Sequence, residues 1–333
     1  MRLALIAALA AALAASCAGA AVIVVDPNEG DIRTPQQGIL AASAGDTVVL
    51  SPGVYDSVYS FNTSVGVRTA ICRLASGVTL RGMNRDGCVI DHTGAEYGIL
   101  CENVDATAIV RNLTVKGGIG RDAGREDDGD GRNLVAGIIC LENASPTIEN
   151  VTIKDSATGI VAREGCAPTI RRTVIARGSH HGIYVYMNGA SPVVIDRVTA
   201  VQNFDVGVYV FSGTATITNS SITHSGKPGV QSYECTPAVA YCNVYLNGRT
   251  VTPHVNYSGG ITDQTGLNGN ISMEPFYCDY TGAAGYDYHV CLDSPNVGAG
   301  QGGVDIGALG GACPTCVSPV SRMSWGAIKA LYR

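Results

Sequence analysis

The sequence predicts an all-β solenoid, a right-handed parallel β-helix with about 23 residues per turn and an N-terminal cap. Two observations carry this. Read from glycine to glycine, the stretch from Gly137 to Tyr233 repeats, with glycines at 137, 159, 182, 207 and 229, that is, at intervals of 22, 23, 25 and 22. Such a period belongs to stacked structural repeats. Second, each copy alternates in steps of two and nowhere shows helical spacing. Ile138, Ile160, Ile183, Val208 and Val230 fill a first inward slot, and the small residues Cys140, Ala162, Val185, Val210 and Ser232 a second.

Two further short strands complete each copy. Pro146-Thr147-Ile148, Pro168-Thr169-Ile170 and Pro192-Val193-Val194 follow a turn, and Val151-Thr152-Ile153, Val174-Ile175 and Val198-Thr199-Ala200 close the turn of the coil. Three parallel strands per turn stack with a rise of about 4.8 Å. Asn112, Asn150 and Asn219 hold one slot between second and third strands, where asparagine tolerates a left-handed backbone. Arg172 and Arg197 interrupt that ladder. The recurring Asn-x-Ser/Thr triplets are thus read as fold signals, not as glycosylation sites.

From the N-terminus, residues 1–20 read as a secretory signal: Arg2, an apolar run from Leu3 to Ala15, and an Ala18-Gly19-Ala20 cleavage site. The run is too short to span a membrane. Ser16-Cys17 also resembles a lipoprotein box, which would anchor the chain at Cys17. Both readings place the protein outside the cytoplasm: secreted, periplasmic or at the cell surface. The β-helix domain then covers 21–312, with a cap over about 21–60, and 313–333 form a tail. Within the cap Val22 to Val25 reads as a strand and Thr34 to Ala44 as a short amphipathic helix over the first turn.

Gly45 to Ser57 reads GDTVVLSPGVYDS, a strand with a Pro-Gly turn. This resembles the opening of the pectin-lyase-like superfamily of right-handed β-helices. The resemblance runs through the repeats to a closing segment marked by Asp287-Tyr288, Ser294-Pro295 and Asp305-Ile306-Gly307-Ala308. It implies the fold strongly and a function weakly, since one scaffold carries several chemistries.

An earlier turn opens at Gly98. The step from there to Gly137 is 39 residues, which leaves about 16 for a loop, GIGRDAGREDDGDGRN. Within it Glu126, Asp128 and Asp130 alternate as calcium ligands do, against the plainer reading of a solvated acidic loop. Calcium is the single cofactor this suggests.

Columns of side chains, not sequence neighbours, compose any working surface of such a coil. The outward slots gather Tyr184, Tyr186, Tyr209, Phe211 and Tyr233 on one face of a chain only 6% aromatic. This suggests a binding face for sugar rings, against strand propensity and ring stacking alone. Two residues before the glycines stand His180, Asp205 and Lys227, with His180 and Asp205 one turn apart. An Asp beside a His suits a general base. The resemblance implies that a lyase on this scaffold also needs a cation for the uronate carboxylate, which Arg163 and Lys227 would supply. The plain alternative is a solvated turn. The paired carboxylates of inverting hydrolysis are missing, since only His181-Gly182 remains of the polygalacturonase pattern.

Of twelve cysteines, eleven remain without Cys17. Cys101 and Cys140 take equivalent inward slots as a buried thiol column, and Cys278 and Cys291 flank a short loop as the expected disulfide. The tail, with Trp325, Ile328 and Leu331, reads as a short capping helix or an anchoring segment. A net charge of −6 and only four lysines exclude a nucleic-acid partner. The leading expectation is a monomeric exported protein that binds polysaccharide or a cell-surface glycan through its aromatic face. The alternatives are an acidic-polysaccharide lyase or epimerase and a structural spacer.

Overall fold

The computed structural model describes residues 19–118, 135–249, 254–283 and 285–314. Three parallel sheets wind into one coil. Sheet A runs over nine strands from Val22–Val25 to Ala238–Ala240, sheet B over eight from Gly53–Tyr55 to Asn243–Tyr245, and sheet C over nine, ending at Tyr257–Gly259. All pairings along the coil are parallel except the hairpin Tyr59–Thr63 with Gly66–Arg73, which opens sheet C. Each first strand lies in sheet C, each second in A and each third in B. The second and third strands begin about one residue later than their apolar pattern suggests, as Thr147–Glu149 and Thr152–Lys154 illustrate.

The repeat holds at the atomic level. Ile138 pairs with Ile160, Ile160 with Ile183, Ile183 with Val208 and Val208 with Val230. All five are fully buried in a core that extends from Val25 to Ile261. Cys140 pairs in register with Cys101 inside this core. Its hydrogen bond to Cys101, then burial, hold its thiol protonated, so Cys140 is chemically quiet. Between sheets A and B, Asn112, Asn150, Arg172, Arg197 and Asn219 all take positive φ, and Asn150 Nδ2 donates to Asn112 Oδ1 at 2.7 Å. The two arginines therefore keep the turn while losing the amide ladder.

At the N-terminus the helix Pro35–Ala41 packs on Val22–Val25, Thr47–Leu50 and Gly66–Arg73. A capping box starts it: Gln37 N–H donates to Thr34 Oγ1, and Thr34 N–H donates to Gln37 Oε1. In the GDTVVLSPGVY stretch, Tyr55 O–H donates to the carbonyls of Ser51 and Val25, tying the Pro-Gly turn to the first strand.

A small sheet D (Tyr277–Asp279, Asp287–Cys291 and Gly311–Cys313) lies over the outer face of sheet B. Tyr277 and Tyr288 pack on Val174, Ala176 and Val201. Tyr277 Oη lies within hydrogen-bond distance of Ser221 and Thr223, and Arg177 Nη1 donates to Tyr288 Oη at 3.1 Å. The disulfide in this region joins Cys278 to Cys313, not to Cys291. Spacing along the chain suggested the loop-flanking pair, but the third strand of sheet D brings Cys313 to Cys278. Cys313 thus belongs to the sheet, and Cys291 is disulfide-bonded as well. The Cys278, Cys291 and Cys313 sulfurs form the one cluster of potential metal ligands among the described residues, and oxidation removes them as thiolates. No described helix is long and apolar enough to cross a membrane.

Candidate functional site

The outer face of sheet C brings the expected aromatic residues into two adjacent columns. Tyr184 pairs with Tyr209, Tyr186 with Phe211 and Phe211 with Tyr233. The rings follow the backbone register: Tyr186 stacks on Phe211 at 5.3 Å and Phe211 on Tyr233 at 4.7 Å, with interplanar angles of 21° and 15°. Their flat faces are therefore spent on one another, and edges, hydroxyls and the outer side of the last ring face solvent. Tyr233, at the open end, is 49% exposed.

Tyr184 departs from expectation, being only 1% exposed. It belongs to a second apolar cluster outside the coil, with Tyr97, Leu100, Ile139, Leu141 and Val161, against which Phe61 and Val65 of the hairpin pack. The outward slots of the early turns are thus a covered core, and the accessible ladder narrows to Tyr186, Tyr209, Phe211 and Tyr233.

His180, Asp205 and Lys227 come together as a column at the entry to the same strands. Asp205 N–H donates to the His180 carbonyl and Lys227 N–H to the Asp205 carbonyl, so the stacking is carried by the main chain. Lys227 Nζ holds Asp205 Oδ1 at 2.8 Å, while His180 Nδ1 stands 3.9 Å from Asp205 Oδ2, beyond a direct hydrogen bond. Arg163 is not part of this group. It aligns with Tyr186 at the far end of the strands, six positions or about 20 Å along the face. There it is buried, pairs with Glu164 at 3.4 Å and lies 5.8 Å from the Tyr186 ring centroid. It lines a cleft of about 570 Å³ with Ser64, Val65, Asn143 and Glu164. The suggested calcium ligands Glu126, Asp128 and Asp130, and Cys17, lie outside the described residues.

A neighbouring cavity of about 520 Å³ went unread in the sequence. Asp155, Arg177, Gln202 and His224 each follow a sheet B strand in the same left-handed slot. Arg177 is clamped twice by Asp155, at 2.9 and 2.7 Å, and Gln202 is tied to the Tyr280 carbonyl. His224 is 3% exposed, and neither ring nitrogen has a hydrogen-bond partner among the described residues. Its ring lies 5.1 Å from Tyr280, with Nε2 3.9 Å from Glu274. The signal for it was the slot it shares with three other polar residues.

Burial, and then Arg249, depress the His224 imidazole to about 4. An unfolded histidine titrates near 6.5, so between pH 6.5 and 4 only the unfolded chain takes up this proton. Stability should fall as pH drops through that window, by roughly 3 kcal/mol at pH 4. Glu274, raised by burial, works in the opposite direction. Denaturant unfolding at pH 7 and 4.5 should show a much smaller loss for His224→Gln than for the parent; equal losses would refute this account.

A family model described as right handed beta helix region matches residues 136–273. Among solved structures, pectate lyase Pel9A superposes with a TM-score of 0.54 at 13% identity, over 88% of this chain and 97% of that one. The chain has the pectin-lyase-like fold. This β-helix is also similar to the A-module of the Azotobacter vinelandii mannuronan C-5 epimerase AlgE4, with a TM-score of 0.39 and 20% identity over 65% of this chain and 74% of that one. No curated protein sequence matches the chain.

Proposed function

We propose that this β-helix is an exported protein that binds polysaccharide along the outer face of sheet C. The observation that carries the reading is the ladder Tyr186–Phe211–Tyr233, in register over three turns and open to solvent at Tyr233. Ring edges and tyrosine hydroxyls suit sugar hydroxyls, and the outer face of Tyr233 offers one platform for a pyranose ring. His180, Asp205 and Lys227 supply polar contacts at the entry to the same strands. The disulfide of sheet D agrees with an oxidising compartment. The fold neighbour Pel9A is a pectate lyase, which makes acidic glycans the first ligands to try.

Glycan-array binding should weaken about tenfold in Tyr233→Ala, a loss near 1.4 kcal/mol, without change in melting temperature. Unchanged binding would count against the face. A second reading, elimination at a uronate, is favoured by the His180–Asp205–Lys227 column alone, with His180 as base, Asp205 as orienter and Lys227 as the cation. Arg163 is too distant to serve the same carboxylate. Ultraviolet absorbance of unsaturated products from pectate, alginate and glycosaminoglycans decides it; no signal in any of them, with or without calcium, removes elimination.

A further inference from the structure

We propose that Arg81, Arg111 and Arg172 form an oxyanion site on the outer face of sheet A, separate from the aromatic face. Along this sheet one outward column reads Arg81, Arg111, Glu149, Arg171 and Asp196, each the register partner of the next. From Glu149 onward the column is balanced. Glu149 lies 3.3 Å from Arg171 and 3.8 Å from Arg172, and Asp196 lies 3.2 Å from Arg197 and accepts from Thr218 and Asn219.

At Arg81 and Arg111 the pattern breaks. Two guanidinium-bearing residues stack on adjacent turns, about 4.8 Å apart at the backbone, where like charges repel. Neither makes an ion pair among the described residues, and the Nε donor of each is buried without an acceptor. Beyond Arg81 the next partner is buried Val49, which offers no charge. Glu149 could have answered Arg111 but is committed to the other two arginines.

The residues enclose a cavity of about 410 Å³ lined by Arg81, Arg111, Asn112, Glu149, Asn150 and Arg172. Three guanidiniums thus face one engaged carboxylate, in a chain whose net charge is −6. Guanidinium forks match a carboxylate or sulfate through paired hydrogen bonds, and two forks one turn apart can share a single anion. The ligand class is therefore an oxyanion: the carboxylate of a uronate, a sulfate ester on a glycan, or the free inorganic ion.

Calorimetric titration at low salt with inorganic sulfate, a short oligouronate and a sulfated neutral oligosaccharide separates these sources. At least one should bind the parent protein and raise its melting temperature. Arg81→Gln/Arg111→Gln should weaken that binding at least tenfold, and Glu149→Gln, which releases Arg171 and Arg172, should strengthen it severalfold. Removing the like-charge pair should not lower the melting temperature without ligand. Should the double variant fail to fold, Glu149→Gln and Arg172→Gln test the site in opposite directions. Tyr233→Ala, which probes the sheet C face, should leave these titrations unchanged, so the two readings fail independently. Absence of binding in all three titrations, or parental affinity in the arginine variants, overturns the site.

Discussion

Replacing Gly159 by alanine should destabilise the protein by about 3 kcal/mol, the upper range for forcing a methyl group into a packed core. A Cβ there would fall 2.3 Å from Ile175 Cγ2 and 2.5 Å from the Gly182 carbonyl oxygen. The isoleucine can turn; the carbonyl cannot, because it belongs to the next turn of the coil and accepts the Ile160 N–H at 3.0 Å. The same contact recurs along the column. A Cβ on Gly98 meets the Gly137 carbonyl at 2.6 Å, one on Gly182 meets that of Gly207 at 2.5 Å, and one on Gly207 meets that of Gly229 at 2.7 Å. Relief would require separating adjacent turns. Gly94→Ala is the control, since its methyl meets only Val58 Cγ2 at 3.4 Å. Denaturant unfolding should separate the two variants clearly, and comparable midpoints would refute the steric account.

The second large effect is expected from Cys278→Ser/Cys313→Ser. The bond closes a separation of 35 residues, for which chain entropy alone gives about 3–4 kcal/mol. Both cysteines must be changed together, because Cys291 Sγ stands 3.3 Å from Cys313 Sγ and a single replacement would invite exchange. Beyond the drop in stability, the variant should expose Tyr277 and Tyr288, which sheet D buries against sheet B. Hydrogen exchange should show loss of protection at Tyr277–Asp279 and Asp287–Cys291 first. Retained protection there would mean that side-chain contacts and the bond at Cys291 hold the sheet without it.

The recurring glycine was the most legible feature of the sequence, and the carbonyl contacts explain why. The inward slots and the asparagine turns followed from it, because both repeat at the period the glycines mark. The columns Tyr184–Tyr209 and His180–Asp205–Lys227 were legible for the same reason. The burial of Tyr184 was not, since it joins an outer apolar cluster that Phe61 and Val65 help to cover from a hairpin that breaks the repeat. Arg163 was grouped wrongly with His180 because a column assignment fixes the turn, while distance along the strand separates them. The pairing of Cys278 with Cys313 depends on a sheet outside the coil, whose strands carry no period. The Arg81–Arg111 pair was not legible, because the turn containing Arg81 precedes Gly98 and carries Ile71 where the glycine column would continue.

A coil whose turns touch only their neighbours resembles a stack of coins, free to lose pieces from either end. Sheet D changes that. Tyr288 grips Arg177 across 111 residues of chain, and the Ala308 N–H grips Thr199 across 109. The last described segment therefore acts as a strap along the side of the stack, joining central turns to one another through a common piece. Melting of the strapped protein should be a single transition, with the middle and the C-terminal end lost together.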